Sequence, residues 1–327
     1  MSKAIDCPLC SGQAAKVIDS VKWSAITSGY FRAFKIELNR LLGDQLAEIQ
    51  LLRCDTCDLL WYSPGVAGDQ RLYEELQMLP WYYQSEKPEY EFARKQVRDG
   101  DRVLEIGCGK GAFISTLPKS AACRGLEFND AAVATCKAQG LDVEAQSVAI
   151  EADMRPGYYD VVCNFQVLEH VSDPRKFLQD CVRCLRPGGK LVVAVPAEDS
   201  FLSLVEDGWL NMPPHHLTRW TDRCLEFAVA QLEMKIQAKW HEPVAEYHQG
   251  WYRDVMRNAG LKRMLGTRIR LVAGRWWSAF ERRVGRIQKL MDRLVAVGEE
   301  SFPRNRDGHS VCIVATKELS GSTVSAN

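Results

Sequence analysis

At 327 residues the chain is long enough to bury a large core and to hold more than one domain. Its 42 basic side chains balance 42 acidic ones, so no global field draws it to nucleic acid, where phosphate neutralisation dominates affinity, or to an anionic membrane. Neither a signal-peptide apolar region nor a run of about eighteen apolar residues is present, which predicts a cytoplasmic protein whose many cysteines are reduced.

The first element is a pair of matched knuckles, Cys7-Pro8-Leu9-Cys10 and Cys54-Asp55-Thr56-Cys57. Two Cys-x-x-Cys units supply the four thiolates that close a tetrahedral zinc site to water, which predicts a structural zinc on Cys7, Cys10, Cys54 and Cys57. The 43 residues between the knuckles exceed a common ribbon spacing, and their middle, about 25–49, predicts one helix inserted between two hairpins. Ser63-Pro64-Gly65 closes this module at residues 1–65. Cys181-x-x-Cys184 has no partner knuckle and lies in a helical pattern, so it belongs to the core. Residues 66–98 form a helical, aromatic connector with Leu72, Tyr73, Leu76 and Leu79 ahead of Trp81-Tyr82-Tyr83, either a lid or packing between domains.

The centre of the chain is Val103-Leu104-Glu105-Ile106-Gly107-Cys108-Gly109-Lys110-Gly111-Ala112-Phe113. It predicts a buried strand at 101–106, a tight turn, and a helix over 111–118. Glycines at 107, 109 and 111 permit positive φ and let a ligand lie against the backbone. The string Gly107-x-Gly109-x-x-Ala112, with Glu127 twenty residues after Gly107, also fits a dinucleotide fingerprint. Glu105 decides between the two. A carboxylate there repels a pyrophosphate and attracts a cofactor bearing ammonium and sulfonium groups. The stretch resembles motif I of the class I S-adenosylmethionine-dependent methyltransferases, and the resemblance implies cofactor contacts at Glu105, Gly107, Cys108, Gly109 and Gly111.

From Asp101 onward strands and helices alternate, the pattern of a parallel sheet with crossover helices. Strand two, 122–128, ends at Glu127, whose carboxylate can accept both hydroxyls of a ribose, with Phe128 placed to flank adenine. After strand three, 142–147, the family often places an acid that reaches the adenine amine; Ser147 is the nearest equivalent. Strand four, 159–165, is followed by Gln166-Val167-Leu168-Glu169-His170, like the family's Leu-Glu-His run beside the methionine moiety. The resemblance puts Asn164 and Gln166, through backbone or side chain, at the ammonium, and adds His170 to the site. Asp173-Pro174 opens a helix ending in Leu185-Arg186-Pro187-Gly188-Gly189, similar to the family's turn before strand five, 191–195.

Past Pro196 comes Pro213-Pro214-His215-His216, just before a helix opened by Thr221-Asp222. It is similar to a stretch in zinc-ribbon methyltransferases of polysaccharide and small-molecule biosynthesis. Histidine titrates near neutrality and is the commonest general base, so His215 or His216 would deprotonate a hydroxyl acceptor. On an extended loop the two point oppositely and only one faces the methyl group, His215 by preference. A metal site on the pair would need a carboxylate beside it.

Strand six lies near 233–240, and residues 242–305 interrupt the sheet with a helical insertion. Its stretch from Lys262 to Lys289 holds nine Lys or Arg against Glu281, with Trp276-Trp277 among them, which fits a solvated cap or a peripheral contact with the inner face of a membrane. Residues 306–319 supply the closing strand and 320–327 a polar tail. The expected architecture is a Rossmann-like, seven-stranded α/β methyltransferase core (99–241) with a small N-terminal zinc-ribbon domain. The resemblance implies S-adenosylmethionine-dependent methylation of a sugar or glycan-precursor hydroxyl, on a small-molecule or a nucleotide- or lipid-linked acceptor, with carbon or nitrogen of a sugar as variants. A zinc-ribbon RNA methyltransferase and a non-catalytic cofactor-binding interaction protein stand as alternatives. Oligomeric state is not legible.

Overall fold

The computed structural model describes residues 6–43, 47–82, 84–205, 208–265, 292–299 and 307–318. The chain divides into two compact units, one of 1–196, 209–240 and 311–327, the other of 197–208 and 241–310.

In the first unit, β1 (Ala15–Lys22) leads into α1 (Trp23–Phe34), α2 (Leu38–Leu42), β2 (Glu48–Cys54) and β3 (Leu60–Ser63). The single helix expected over 25–49 is thus two helices. Lys35 breaks it by entering the left-handed region at φ 64°, and its amide closes the last turn on the Phe31 carbonyl. The two expected hairpins are also replaced. β1 and β2 pair antiparallel across the helical insertion, and β2 and β3 form a hairpin around the second knuckle.

Next come α3 (Gln70–Gln77) and α4 (Pro88–Arg94), and they part company. Leu72 and Leu76 of α3 join the N-terminal core of Trp23, Ile26, Tyr30 and Leu38. Tyr90 and Ala93 of α4 join the core beneath the large sheet, where Tyr90 and Phe113 each meet the ring of Phe165, at 5.0 and 4.8 Å. Each helix follows its own apolar stripe, which is what periodicity at 3.6 residues dictates.

The sheet elements follow as β4 (Arg102–Ile106), β5 (Ala122–Leu126), α5 (Asp130–Ala138), β6 (Val143–Glu144), α6 (Val148–Met154), β7 (Tyr159–Phe165), α7 (Pro174–Cys184) and β8 (Leu185–Pro196). Then come β9 (Thr218–Arg219), α8 (Asp222–Gln231), β10 (Met234–Pro243), α9 (Gln249–Leu265) and β11 (Asp307–Lys317). Seven strands are ordered β10-β11-β8-β7-β4-β5-β6, and β4 to β8 pair in parallel. The apolar runs of β4, β7 and β8 are buried on both faces, as central parallel strands covered by helices require. The carboxyl ends of β4, β5 and β7 gather the glycine turn, Glu127 and Gln166 to His170 on one edge.

Three sequence expectations are corrected here. The helix over 111–118 is only a 3-10 turn at Ile114–Thr116, because Ser115 and Thr116 hydroxyls bond back to Ala112 and Phe113 carbonyls and Pro118 forbids continuation. Strand three shrinks to Val143–Glu144, since Ser147 caps α6. Strand five extends back to Leu185, with Pro187-Gly188-Gly189 carried inside it at an irregularity of its pairing with β7.

The small sheet has the order β1-β2-β3-β9, and β9 comes from a distant part of the chain. Thr218 and Arg219, just past the two histidines, pair with Trp61 and Leu60. The N-terminal module is therefore completed by the histidine loop's own strand.

The second unit builds a small core from Phe201, Leu202, Tyr252, Val255 and Met256. There α9 meets the helical stretch 292–299 with glycines at the contact: a Cβ on Gly260 would fall 2.0 Å from the Leu294 carbonyl oxygen. The side chains of the basic stretch from Lys262 to Lys289, Tyr83 and the tail at 320–327 lie outside the described residues. No helix among the described residues is long and apolar enough to cross a membrane.

Candidate active site

The glycine turn has the conformation that its composition demands. Gly107, Gly109 and Gly111 all have positive φ, at 70°, 52° and 77°. Side chains at these positions would strain the turn, and a Cβ on Gly107 would also strike Val167 at 2.4 Å. Cys108 between them turns inward, its sulfur against Gly125, so only its backbone can meet a ligand.

Glu127 anchors the turn. One carboxylate oxygen accepts from the Gly109 amide and the other from the Asn129 amide, each at 2.9 Å. Each oxygen retains a second lone pair for a ligand hydroxyl. Phe128 beside it is 72% exposed, unusual for so large an apolar ring.

Glu105 is buried, and its Oε2 has no hydrogen-bond partner among the described residues. Burial pushes its carboxyl well above the usual range, against the lowering field of Lys87. A buried acid left short of donors is what a cationic ligand group would satisfy. Gln166, at φ 59°, donates through Nε2 to Glu89 at 3.1 Å. Asn164 is placed differently. Its neighbour Cys163 is in register with Glu105, while Asn164 is in register with Ile106, so its side chain shares the face opposite to Glu105. Ser147 spends its hydroxyl on the Ile150 amide as the cap of α6.

The histidines converge. One ring nitrogen from each of His170, His215 and His216 lies within 4.8 Å of the other two. His215 and His216 do not diverge as on an extended loop. Both amides bond the Met212 carbonyl in a turn, and the two rings stack at 4.6 Å and 19°. The turn is held to the sheet edge by the Leu217 amide, which donates to the Glu169 carbonyl at 2.8 Å.

Each ring is oriented through Nδ1. That of His170 meets the His215 carbonyl at 2.6 Å, that of His215 the Leu210 carbonyl at 2.9 Å, and that of His216 the Asn211 Oδ1 at 3.0 Å. These acceptors require a proton on Nδ1 and so leave the lone pair on Nε2. Tyr82 Oη lies 2.9 Å from His215 Nε2. Burial holds His170 down at about 4, and burial with the nearby His170 holds His215 well below the usual range. Imidazoles so depressed stay neutral at pH 7 and take up a proton reluctantly.

Glu169 completes the group. It is 1% exposed, and neither carboxylate oxygen has a hydrogen-bond partner among the described residues. Its Oε1 lies 3.8 Å from His170 Nε2 and 3.9 Å from His216 Nε2. Burial raises its carboxyl to about 8. Lys87 at the start of α4 acts electrostatically on Glu105, Glu169 and His170 together, so glycine turn and histidines form one region.

A family model described as a methyltransferase domain matches residues 81–260, more than half of the chain. The chain belongs to this methyltransferase family. The methyltransferase is 32% identical over 99 residues to a ubiquinone biosynthesis O-methyltransferase of Idiomarina loihiensis, covering 28% of this chain and 41% of that protein. It is 39% identical over 106 residues to a probable S-adenosylmethionine-dependent methyltransferase of Mycolicibacterium smegmatis, covering 31% of this chain and 40% of that one. It thus spans about two fifths of the length of these curated relatives. A crystal structure of a SAM dependent methyltransferase from Archaeoglobus fulgidus shares the fold, with TM-score 0.51 at 18% identity over 76% of this chain and 100% of that one.

The four cysteines of the knuckles also meet. Cys7 and Cys57 sulfurs are 3.5 Å apart, as are those of Cys10 and Cys54. The knuckles are built alike. Cys7 and Cys54 carbonyls accept from the amides of Ser11 and Asp58, each of which has positive φ, and their own amides bond Gly12 and Leu59 carbonyls. Burial raises the Cys54 thiol, but the Cys57 and Thr56 amides outweigh it and hold it at about 7.

Sequence reasoning missed Glu89, Lys87 and the carboxylate role of Glu169. Tyr73 and Tyr82 belong to the aromatic stretch it read as either a lid or packing between domains, and Lys87 and Glu89 follow it with no pattern of their own. Glu169 was visible within the Leu-Glu-His run, but nothing in sequence says that it is buried.

Proposed function

We propose that the protein transfers a methyl group from S-adenosylmethionine to a hydroxyl of a small acceptor, with a sugar or glycan-precursor hydroxyl as the preferred class. The observation that carries this reading is the gathering of three imidazoles and the buried Glu169 beside the glycine turn. The names of several relatives specify transfer to oxygen, in ubiquinone biosynthesis, which agrees with a hydroxyl and leaves the sugar resting on the motif resemblance.

Bound S-adenosylmethionine supplies an electrophilic methyl on a sulfonium leaving group. The residues present fit it: Glu105, with its unpartnered oxygen, would face the cationic end, with Gln166 and Glu89 beside it. Glu127 would take ribose hydroxyls and the exposed Phe128 would cover adenine. Backbone at Gly107 to Gly111 would allow close approach. The histidine cluster would face the acceptor hydroxyl and align its oxygen, so positioning supplies much of the rate.

The four cysteines, in this reading, hold a structural zinc. In their support, tetrahedral bonds of about 2.3 Å put sulfurs about 3.8 Å apart, close to the observed pairs.

A labelled-methyl assay tests the proposal against nucleotide sugars, phenolic quinone precursors and RNA. Label on a sugar hydroxyl is expected. Label on the phenol alone would move the acceptor class, and label on RNA alone would overturn the small-acceptor reading.

A further inference from the structure

We propose that Glu169, His170 and His216 form a binding site for a divalent transition-metal cation, with open positions for the acceptor's oxygen. The proposal deepens the reading of this region as the acceptor site, but its geometry stands by itself.

The argument starts from an imbalance of protons. With Nδ1 of His170 and of His216 aimed at an oxygen acceptor, each ring presents a lone pair at Nε2. Both face one oxygen of Glu169, at 3.8 and 3.9 Å. That separation is too long for a hydrogen bond, so a proton on Glu169 would not join the groups. Three acceptors therefore converge, and the buried Glu169 carboxyl gains no donor from the described residues. Such a group costs stability unless a positive charge fills the gap. A tetrahedral ion with bonds of about 2.1 Å has ligand atoms about 3.4 Å apart, so each of the two imidazole nitrogens lies within a few tenths of an ångström of that separation from Glu169.

The surroundings are those of a metal site. Ligating histidines almost always donate their other nitrogen to a carbonyl or carboxylate, which fixes tautomer and orientation. His170 does so to the His215 carbonyl and His216 to Asn211. The stacked His215 stands behind them, with its Nε2 on Tyr82. Imidazoles oriented in this way are good ligands, and two of them with one carboxylate suit zinc, manganese or iron(II) rather than calcium or magnesium. A cation here also answers the question of the acceptor's proton. A divalent cation held by Glu169, His170 and His216 would make a hydroxyl bound to it more acidic, so that its proton could pass to water near neutral pH.

Manganese(II) separates this site from the four cysteines, because thiolates do not favour it. Full-length protein carrying no more than one zinc per chain, the complement of the four cysteines, is titrated with Mn²⁺ and bound ion is followed by electron paramagnetic resonance. One ion per chain is expected. Glu169→Gln and His216→Ala should each weaken it at least about tenfold, and Asn211→Ala, which keeps all three ligands, should weaken it about tenfold through loss of ring orientation. Circular dichroism and S-adenosylhomocysteine binding report whether each variant is folded, and His170→Ala replaces any that is not. No saturable Mn²⁺ in the folded wild type, or binding indifferent to all these substitutions, overturns the site. Methyl transfer to a hydroxyl at full rate after chelation, with no Mn²⁺ bound, would sink the cation and leave the proposed function standing. Tight Mn²⁺ binding with no hydroxyl methylated would keep the site and sink that reading of the acceptor.

Discussion

Asp58 accepts a 2.8 Å hydrogen bond from the hydroxyl of Thr221, 163 residues further along the chain. Asp58 follows the last knuckle cysteine and is held by Arg53 at 2.7 and 2.9 Å, while Thr221 caps the helix after the histidines. With the pairing of β3 to β9, this contact makes the cysteine module a brace for the histidine turn.

Removing that brace should therefore be felt at the turn. Chelation of a bound zinc, or Cys54→Ser, is expected to speed amide exchange at Leu217 to Arg219 while β4 and β7 keep their protection. Asp58→Asn should give a weaker version of the same pattern. Hydrogen exchange read by mass spectrometry checks it, and unchanged exchange at β9 would refute the brace.

Glu105 predicts a conflict between affinity and stability. Its carboxyl is buried with an unpartnered oxygen, so Glu105→Gln should leave the melting temperature unchanged or higher. The same change should cost about 1.5–3 kcal/mol of S-adenosylhomocysteine binding, the range for bonds to a charged group. Glu127→Ala should lose affinity and also loosen the glycine turn, because it removes the acceptor of the Gly109 amide. Calorimetry and thermal melts distinguish the two, and NAD is expected not to bind either form.

For the histidines the expected signature is a loss of turnover without loss of cofactor. His170→Ala or His216→Ala should lower turnover by about 10²–10⁴. S-adenosylhomocysteine affinity should stay at the wild-type value, since the cofactor groups lie on the glycine turn. Near wild-type turnover in both single variants and in the double variant would make these rings structural.

Acid stability should depend on Glu151. This buried carboxylate bonds Arg155 at 2.7 Å, Arg124 at 3.3 Å and the Tyr159 hydroxyl. Burial raises its pKa, but the Tyr159 hydroxyl and the two arginines outweigh that and hold it below the usual range. A depressed folded pKa means that the stabilisation is complete above the unfolded value of about 4.3 and is lost as pH falls through the lower folded value. Glu151→Gln should cost about 3–5 kcal/mol at pH 7 and flatten the loss of stability below about pH 4. Urea midpoints at pH 7 and pH 3.5 measure both effects.

Much of this was legible in the sequence because it is local. Strand β4 and its glycine turn follow from an apolar run and three residues that tolerate positive φ. Strands β5, β7 and β10, the capped helices α7 and α8, and the matched cysteine knuckles are also encoded within a few residues of each feature. Where local signals competed, boundaries moved. Ser115 and Thr116 turned a predicted helix into a single 3-10 turn by bonding back to the main chain, and Lys35 split another.

Tertiary structure alone decided the rest, because burial and partners across the chain do not appear in a local pattern. A Met212 carbonyl that accepts two amides turned an extended pair of histidines into a stacked one. A strand of two residues, β9, carried that turn to the N-terminal module. Above all, the sequence shows a glutamate before His170, but only packing removes its water and its donors and leaves its oxygen facing two imidazoles. The residue types fixed which chemistry was available, and desolvation fixed which groups would need a partner.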